Sequence, residues 1–309
     1  MKRNRLRIFT GIVIAIILIV GAIPVSAATE KLTHKVVSIS NNESYTNTQA
    51  FAVGSRYAYY IQRYKGEKNH YKLYRSDIEG KNKNPVEIKA IKSSDACAFG
   101  HANDMVTFSQ KGNTHLLVTT YENDNNKANK DLTNIEIYKS KEGKLTYKAV
   151  GHYKLKLHGK VVKVGGVDKL SSKGTIYTFI VKIAKNIYTV SIDVSKSRET
   201  ANLRYIGTLK FGKKYDDYIR QGIEFSDGKL YVPLWAGHSN ANESVILKYN
   251  WKDVLKNKTA SYEKCYVAKR TDLKTFEIEG CNVLKNRLYY ATNGGYGKKQ
   301  FDEIGYFKL

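Results

Sequence analysis

The stretch "GHANDMVTFSQKGNTHLLVTT", Gly100 to Thr120, reads as two β-strands around a polar turn. Its first strand opens unusually, with His101, Asn103 and Asp104 crowded beside Gly100 and Ala102. These residues are either a local catalytic or metal site or one copy of something the chain repeats. The rest of the sequence decides for a repeat. A polar residue, a small residue and two further positions, the second often acidic, precede an apolar-aromatic strand five times. The copies are Gln49-Ala50-Phe51-Ala52, His101-Ala102-Asn103-Asp104, Gly165-Gly166-Val167-Asp168, Gln221-Gly222-Ile223-Glu224 and Glu279-Gly280-Cys281-Asn282. Their first residues lie 52, 64, 56 and 58 positions apart, a spacing that belongs to repeat architectures.

A second strand follows each copy: "RYAYYIQ", "HLLVTTY", "TIYTFIV", "KLYVPLW" and "RLYYATN". Then comes a third: "YKLYRSD", "IEIYKSK", "IYTVSID", "VILKYNW" and "IGYFKL". Four units add a fourth, "VEIKAIK", "YKAVGHYKL", "LRYIGTL" and "CYVAKR", and the last unit stops at Leu309 without one. A spare strand, "HKVVSIS", precedes the first copy. Pairing it with "IGYFKL" would shut a ring and remove two open edges, which otherwise recruit foreign strands. The expected fold is all-β, a five-bladed β-propeller whose last blade is completed by an N-terminal strand. Residues 28–309 form its single domain. Only "WKDVLKNK" offers a helical turn. The 24 tyrosines suit flat packing between blades, and the recurrent Gly or Ala relieves crowding where innermost strands converge.

Residues 1–27 read as an export leader. Lys2, Arg3, Arg5 and Arg7 precede the apolar run "IFTGIVIAIILIVGAIPV", and "VSAAT" offers cleavage after Ala27 or Ala28; an uncleaved membrane anchor is the alternative. Without the leader, 48 Lys and Arg face 28 Asp and Glu, a net charge of +20. Such a surface attracts polyanions. The lysines are scattered and no nucleic-acid motif is present, so export turns the expectation from nucleic acid to anionic envelope polymers or membrane head groups. Cys97, Cys265 and Cys281 have no framework spacing, and zinc-ligand spacing is missing.

Candidate site residues follow from the repeat. Gln49, His101, Gly165, Gln221 and Glu279 should ring one mouth of the central channel. Three positions on, Asp104, Asp168 and Glu224 recur in consecutive blades. Ionised carboxylates buried there cost several kcal/mol, roughly, unless bonded. They tie blades together through backbone N–H groups or water, or bind a ligand, or catalyse. As ligands, His101, Asn103, Asp104, Asp168 and Glu224 are mostly oxygen donors, suiting Ca²⁺ better than zinc. As catalysts, Asp104, Asp168 and Glu224 could act as a glycosidase's two carboxyl groups. Trp235 and His238, in "WAGHSNANES", could stack on or bond a sugar, whereas "YATNGGYGKKQ" reads as a hairpin and not a phosphate loop.

The runs "TQAFAVGSRYAYYIQRYKG", "GHANDM", "IRQGIEFSDGKLYVPLW" and "FEIEGCNVLKNRLYYAT" fall in the order and form seen in helveticin J-like proteins, bacteriocin-related propellers of Gram-positive bacteria. The resemblance spans most of the mature chain. Its best-matched elements are Gln49-Ala50, His101-Ala102, Gln221-Gly222 and Glu277-Ile278-Glu279. It implies an antibacterial protein acting on neighbouring cells and brings no defined catalytic residues; the export leader and high charge depart from the family pattern. The expectation is a secreted or envelope-attached, monomeric, non-enzymatic propeller. It would bind an anionic cell-wall polymer or glycan through Gln49, His101, Asn103, Gln221, Glu277, Glu279, Trp235 and His238. The alternative is a glycoside hydrolase or polysaccharide lyase using Asp104, Asp168 and Glu224. No cofactor is expected unless the channel holds Ca²⁺ on His101, Asp104, Asp168 and Glu224.

Overall fold

Short runs in which every second residue is apolar fold as antiparallel meanders, because that period puts one face of each strand against a core. The computed structural model describes residues 28–39, 46–64, 71–92, 99, 101–121, 131–237, 241–296 and 299–309. The expected leader, Cys97, His238 and the side chain of His101 lie outside the described residues.

Two strands come first, β1 (Ala28–Glu30) and β2 (His34–Ser38). The first meander is β3 (Thr46–Val53), β4 (Tyr57–Tyr64), β5 (Tyr71–Asp77) and β6 (Val86–Ala90). The second is β7 (His101–Gln110), β8 (Asn113–Tyr121), β9 (Asp131–Lys139) and β10 (Leu145–Leu157), with β11 (Lys160–Val161) folded back on β10. The third runs β12 (Gly166–Lys173), β13 (Ile176–Ile183), β14 (Asn186–Asp193) and, after β15 (Arg198–Asn202), β16 (Arg204–Lys210). The fourth begins in two pieces, β17 (Ile219–Arg220) and β18 (Glu224–Ser226), both paired with β19 (Lys229–Trp235). It continues through β20 (Glu243–Asn250), helix α1 (Trp251–Asn257), β21 (Thr259–Ser261) and β22 (Lys264–Lys269). The fifth is β23 (Thr275–Leu284), β24 (Arg287–Tyr296), β25 (Lys299–Gln300) and β26 (Glu303–Lys308).

As the spare-strand reading required, β2 pairs antiparallel with β26 and gives the fifth meander its fourth strand. First strands touch in chain order, β3 to β7, β7 to β12, β12 to β18 and β18 to β23, and β23 touches β3. Outer edges are strapped by parallel pairing: β6 on β10, β15 on β10, β21 on β16 and β1 on β22. These straps occupy backbone groups that would otherwise solicit foreign strands. The helical turn foreseen at "WKDVLKNK" is α1, capped by Asn250, whose side chain accepts the Lys252 N–H at 3.0 Å.

The core lies between neighbouring sheets. Phe108 of the second meander packs on Tyr177 and Phe179 of the third at ring separations of 4.7 and 6.1 Å, geometries worth about 0.5–1.5 kcal/mol per pair beyond area burial. Ile180, Val232 and Leu247 join the third sheet to the fourth; Tyr231, Tyr266 and Phe307 join the fourth to the fifth. Small residues stand where first strands converge. A Cβ on Gly222 would collide with the Asp104 carboxylate, and one on Gly166 would sit 3.0 Å from Ile223.

Candidate functional site

Asp104, Asp168, Glu224 and Asn282 form a column, and each reaches into the next first strand. The Asp104 Oδ2 atom accepts the N–H of Val167 and of Ile223, both at 2.9 Å. Asp168 accepts the N–H of Phe225. Glu224 accepts the N–H of Val283 at 2.9 Å and the Asn282 side-chain amide at 2.5 Å. Asn282 in turn accepts the N–H of Val53 at 2.9 Å. Four side chains thus knit five first strands circumferentially. Burial pushes Asp104 and Glu224 well above the ordinary carboxylate range, the Asp168 charge raising Glu224 further; Asp168 itself rises to about 6.

A separate cavity of about 760 Å³ opens beside this column. Gln49, Gly165, Gln221 and Glu279 of the expected ring line it, as do Asn103 and Glu277 of the expected binding set; Trp235 does not, because its indole N–H turns to the Ala241 carbonyl at 2.8 Å. Local backbone geometry aims three of these side chains. Strand register slips at Gln49 in β3, at Asn103 in β7 and at Glu279 in β23, so each is the extra residue of a β-bulge. Bulges re-aim side chains, here from the sheet face toward the pocket.

The wall also holds Asn47, Arg63, Lys163, Lys182, Asp217, Tyr218, Arg220 and Asn293, none of which the sequence reading picked out. Lys182 carried the best signal. It sits in "TFIVKIA" on the same strand parity as Ile180, so alternation directs a lysine into buried space. Arg63 and Arg220 sit at strand ends, where nothing in the sequence separates them from solvated charge.

Four polar atoms on this wall are buried and have no hydrogen-bond partner among the described residues: Asn47 Oδ1, Gln49 Oε1, Arg63 Nε and Arg220 Nε. Buried polar groups are nearly always satisfied, so such a cluster marks a place for ligand or water. Glu277 accepts a 2.5 Å bond from the Gln221 amide, and Asn293 donates to Glu279 at 3.4 Å. Burial lifts Glu277 to about 7, and burial plus the charge of Glu277 lifts Glu279 well above the usual range. Burial lowers the Lys182 ammonium to about 8, against the attraction of Asp104. Among the described residues, no group of three His, Cys, Asp or Glu side chains is placed to hold a metal ion. Cys265 and Cys281 are buried free thiols.

No family model matches the sequence, and no curated protein matches it. Solved structures match in shape. An α-L-arabinofuranosidase from Lactobacillus brevis gives a TM-score of 0.53 at 13% identity, covering 87% of this chain and 93% of that one. A GH43 β-xylosidase/α-arabinofuranosidase from a compost microbial metagenome, in complex with xylotriose and calcium-free, gives 0.52 at 8% identity over 89% and 95%. The tail fiber of Staphylococcus aureus phage P68 gives 0.50 at 16% identity, over 90% of this chain and 53% of the fiber chain. What they share with it is the fold, a β-propeller. The bulged side chains of β3, β7 and β23 meet at one end of the meanders' first strands.

Proposed function

We propose that the protein is an exported five-bladed propeller, its ring closed by β2, that binds a sugar of an anionic cell-envelope polymer in the 760 Å³ pocket without cleaving it. The observation that carries this reading is the set of orphaned polar atoms on Asn47, Gln49, Arg63 and Arg220. Convergent amides and guanidinium groups complement hydroxyl-rich ligands, each bond to a charged group being worth about 1.5–3 kcal/mol. The fold likeness to a xylotriose-bound enzyme supports a carbohydrate ligand, and the +20 charge supports an anionic polymer. A bacteriocin-like role, implied by the helveticin J resemblance, would place this binding on neighbouring cells.

The test is sedimentation with purified Gram-positive cell walls at 50 and 300 mM salt. Binding should weaken several-fold as salt rises, since exposed charges are screened over a Debye length of about 8 Å at physiological ionic strength. Gln49→Ala together with Gln221→Ala should lower the remaining affinity at least tenfold. Retention unchanged by both salt and mutation would overturn the reading.

Hydrolysis is the second reading, favoured by the enzymes that share the fold and by the two buried carboxyls, Glu277 and Glu279. It shifts the catalytic candidates away from Asp104, Asp168 and Glu224, whose oxygens hold backbone N–H groups. Sugar release from a polysaccharide panel, abolished by Glu277→Gln, would establish it over binding alone.

A further inference from the structure

The cationic side of the pocket is not neutralised from within. Arg63, Lys182 and Arg220 line it, and none has an ion-pair partner among the described residues. Arg220 donates through one terminal nitrogen to the Asp216 carbonyl at 3.1 Å and leaves its Nε unbonded. Arg63 likewise leaves its Nε unbonded. Lys182 is 1% exposed, and its ammonium has no hydrogen-bond partner among the described residues. Carboxyls that could offset these charges are poorly suited to do so. Asp104 attracts Lys182 but makes no ion pair with it among the described residues, and one of its oxygens holds two backbone N–H groups; Glu277 and Glu279 are driven by burial toward their neutral forms, leaving Asp217 as the remaining acid on the described wall.

A buried cation without a counter-charge is costly, and a ligand that brings one recovers much of that cost. Access to Lys182 is built into the backbone. Position 165 is glycine, and a Cβ there would stand 3.7 Å from Lys182 Nζ and 3.8 Å from Asn103 Nδ2. Any larger side chain would roof both donors. With glycine, the ammonium stays open to the pocket, and the Asn103 amide beside it donates one hydrogen to the Gly165 carbonyl at 2.5 Å. Guanidinium groups supply the fork geometry that carboxylate and phosphate oxygens accept in pairs.

We infer that the sugar or polyol bound here carries an anionic substituent, a phosphate ester or a carboxylate, seated against Lys182 and Arg220 with its hydroxyls toward Gln49, Gln221 and Glu277. This rests on the glycan-binding reading and narrows it to one ligand chemistry. Phosphodiester polymers and uronate polymers both present it, so the experiment separates them.

Titration calorimetry on the full protein would use matched pairs: glycerol 3-phosphate against glycerol, and methyl glucuronide against methyl glucoside. One charged probe should bind at least tenfold more tightly than its neutral partner, and which one does so names the source. Arg220→Gln, Lys182→Met and Gly165→Leu should each bring that ratio down toward one by weakening the charged probe more than the neutral one. If Lys182→Met does not fold, the other two variants carry the test. Charged and neutral probes binding alike would overturn the inference and leave the glycan reading standing. A charged-probe preference untouched by all the folded variants would overturn the placement. Binding of no probe at millimolar concentration would overturn both.

Discussion

Asp104 holds the N–H groups of Val167 and Ile223 on a single oxygen, so its removal strands two buried donors in two different blades. Each orphaned donor costs about 1–3 kcal/mol, and Asp104→Ala should therefore lose about 2–6 kcal/mol in denaturant unfolding. Asp104→Asn keeps an acceptor in place and should lose less than half as much. Equal losses for the two variants would mean that packing, and not these bonds, is what the side chain supplies. The acidic column was legible in the sequence because it recurs at one place in successive repeats. Its partners were not, since Ile223 lies 119 residues beyond Asp104 and nothing local marks its N–H as unpaired. Lys182 was overlooked for a related reason: a lone lysine in an apolar strand announces burial only once the faces of that strand are known.

At the level of elements, fourteen of the strands named from alternation appear within a few residues of where they were read, from β4 through β26, because period 2 is a strong signal when one face is buried. The bulges at Gln49, Asn103 and Glu279 were invisible, since a register slip is defined by pairing between strands and not by either strand alone. The spare strand β2 could be read because the last repeat lacked a fourth strand. Its seam is now concrete. Ile39 donates its N–H to the Asp302 carbonyl at 2.9 Å and its carbonyl accepts the Gln62 amide at 2.8 Å, while the Asp302 carboxylate takes the Thr48 N–H and hydroxyl, both at 3.1 Å. Deleting residues 28–39 should strip β26 of its outer partner and β22 of its strap, lower the unfolding midpoint and cause self-association through the bared edges at micromolar concentration. Light scattering would show it. A truncated chain that stays monomeric and equally stable would remove β2 from the closing role.

On the scale of the whole molecule, the buried acids set how stability responds to pH. Asp104, Glu224 and Glu279 are raised well above the ordinary range by burial, Asp168 to about 6, and Glu277 and Asp302 to about 7. Unfolded carboxyls titrate near 4, so between about 4 and 7 the folded chain holds more protons than the unfolded one. Stability must then fall as pH rises through that window. His115, lowered chiefly by burial, opposes this within the window, adding stability as pH rises toward 6.5, and other groups act outside it. Lys182, lowered to about 8, adds stability as pH climbs from about 8 toward 10.5, and Asp272, held near 2 by Arg270, withdraws stability as pH drops from about 4 toward 2. Thermal midpoints at fixed ionic strength should accordingly peak near pH 4–5 and decline toward pH 8. Glu277→Gln should flatten the upper part of that decline, because an amide there has no proton to lose. A midpoint that is level or rising from pH 5 to 7.5 would mean these carboxyls ionise without penalty. The cationic wall would then be neutralised from within, and the pocket would have no need of an anionic ligand.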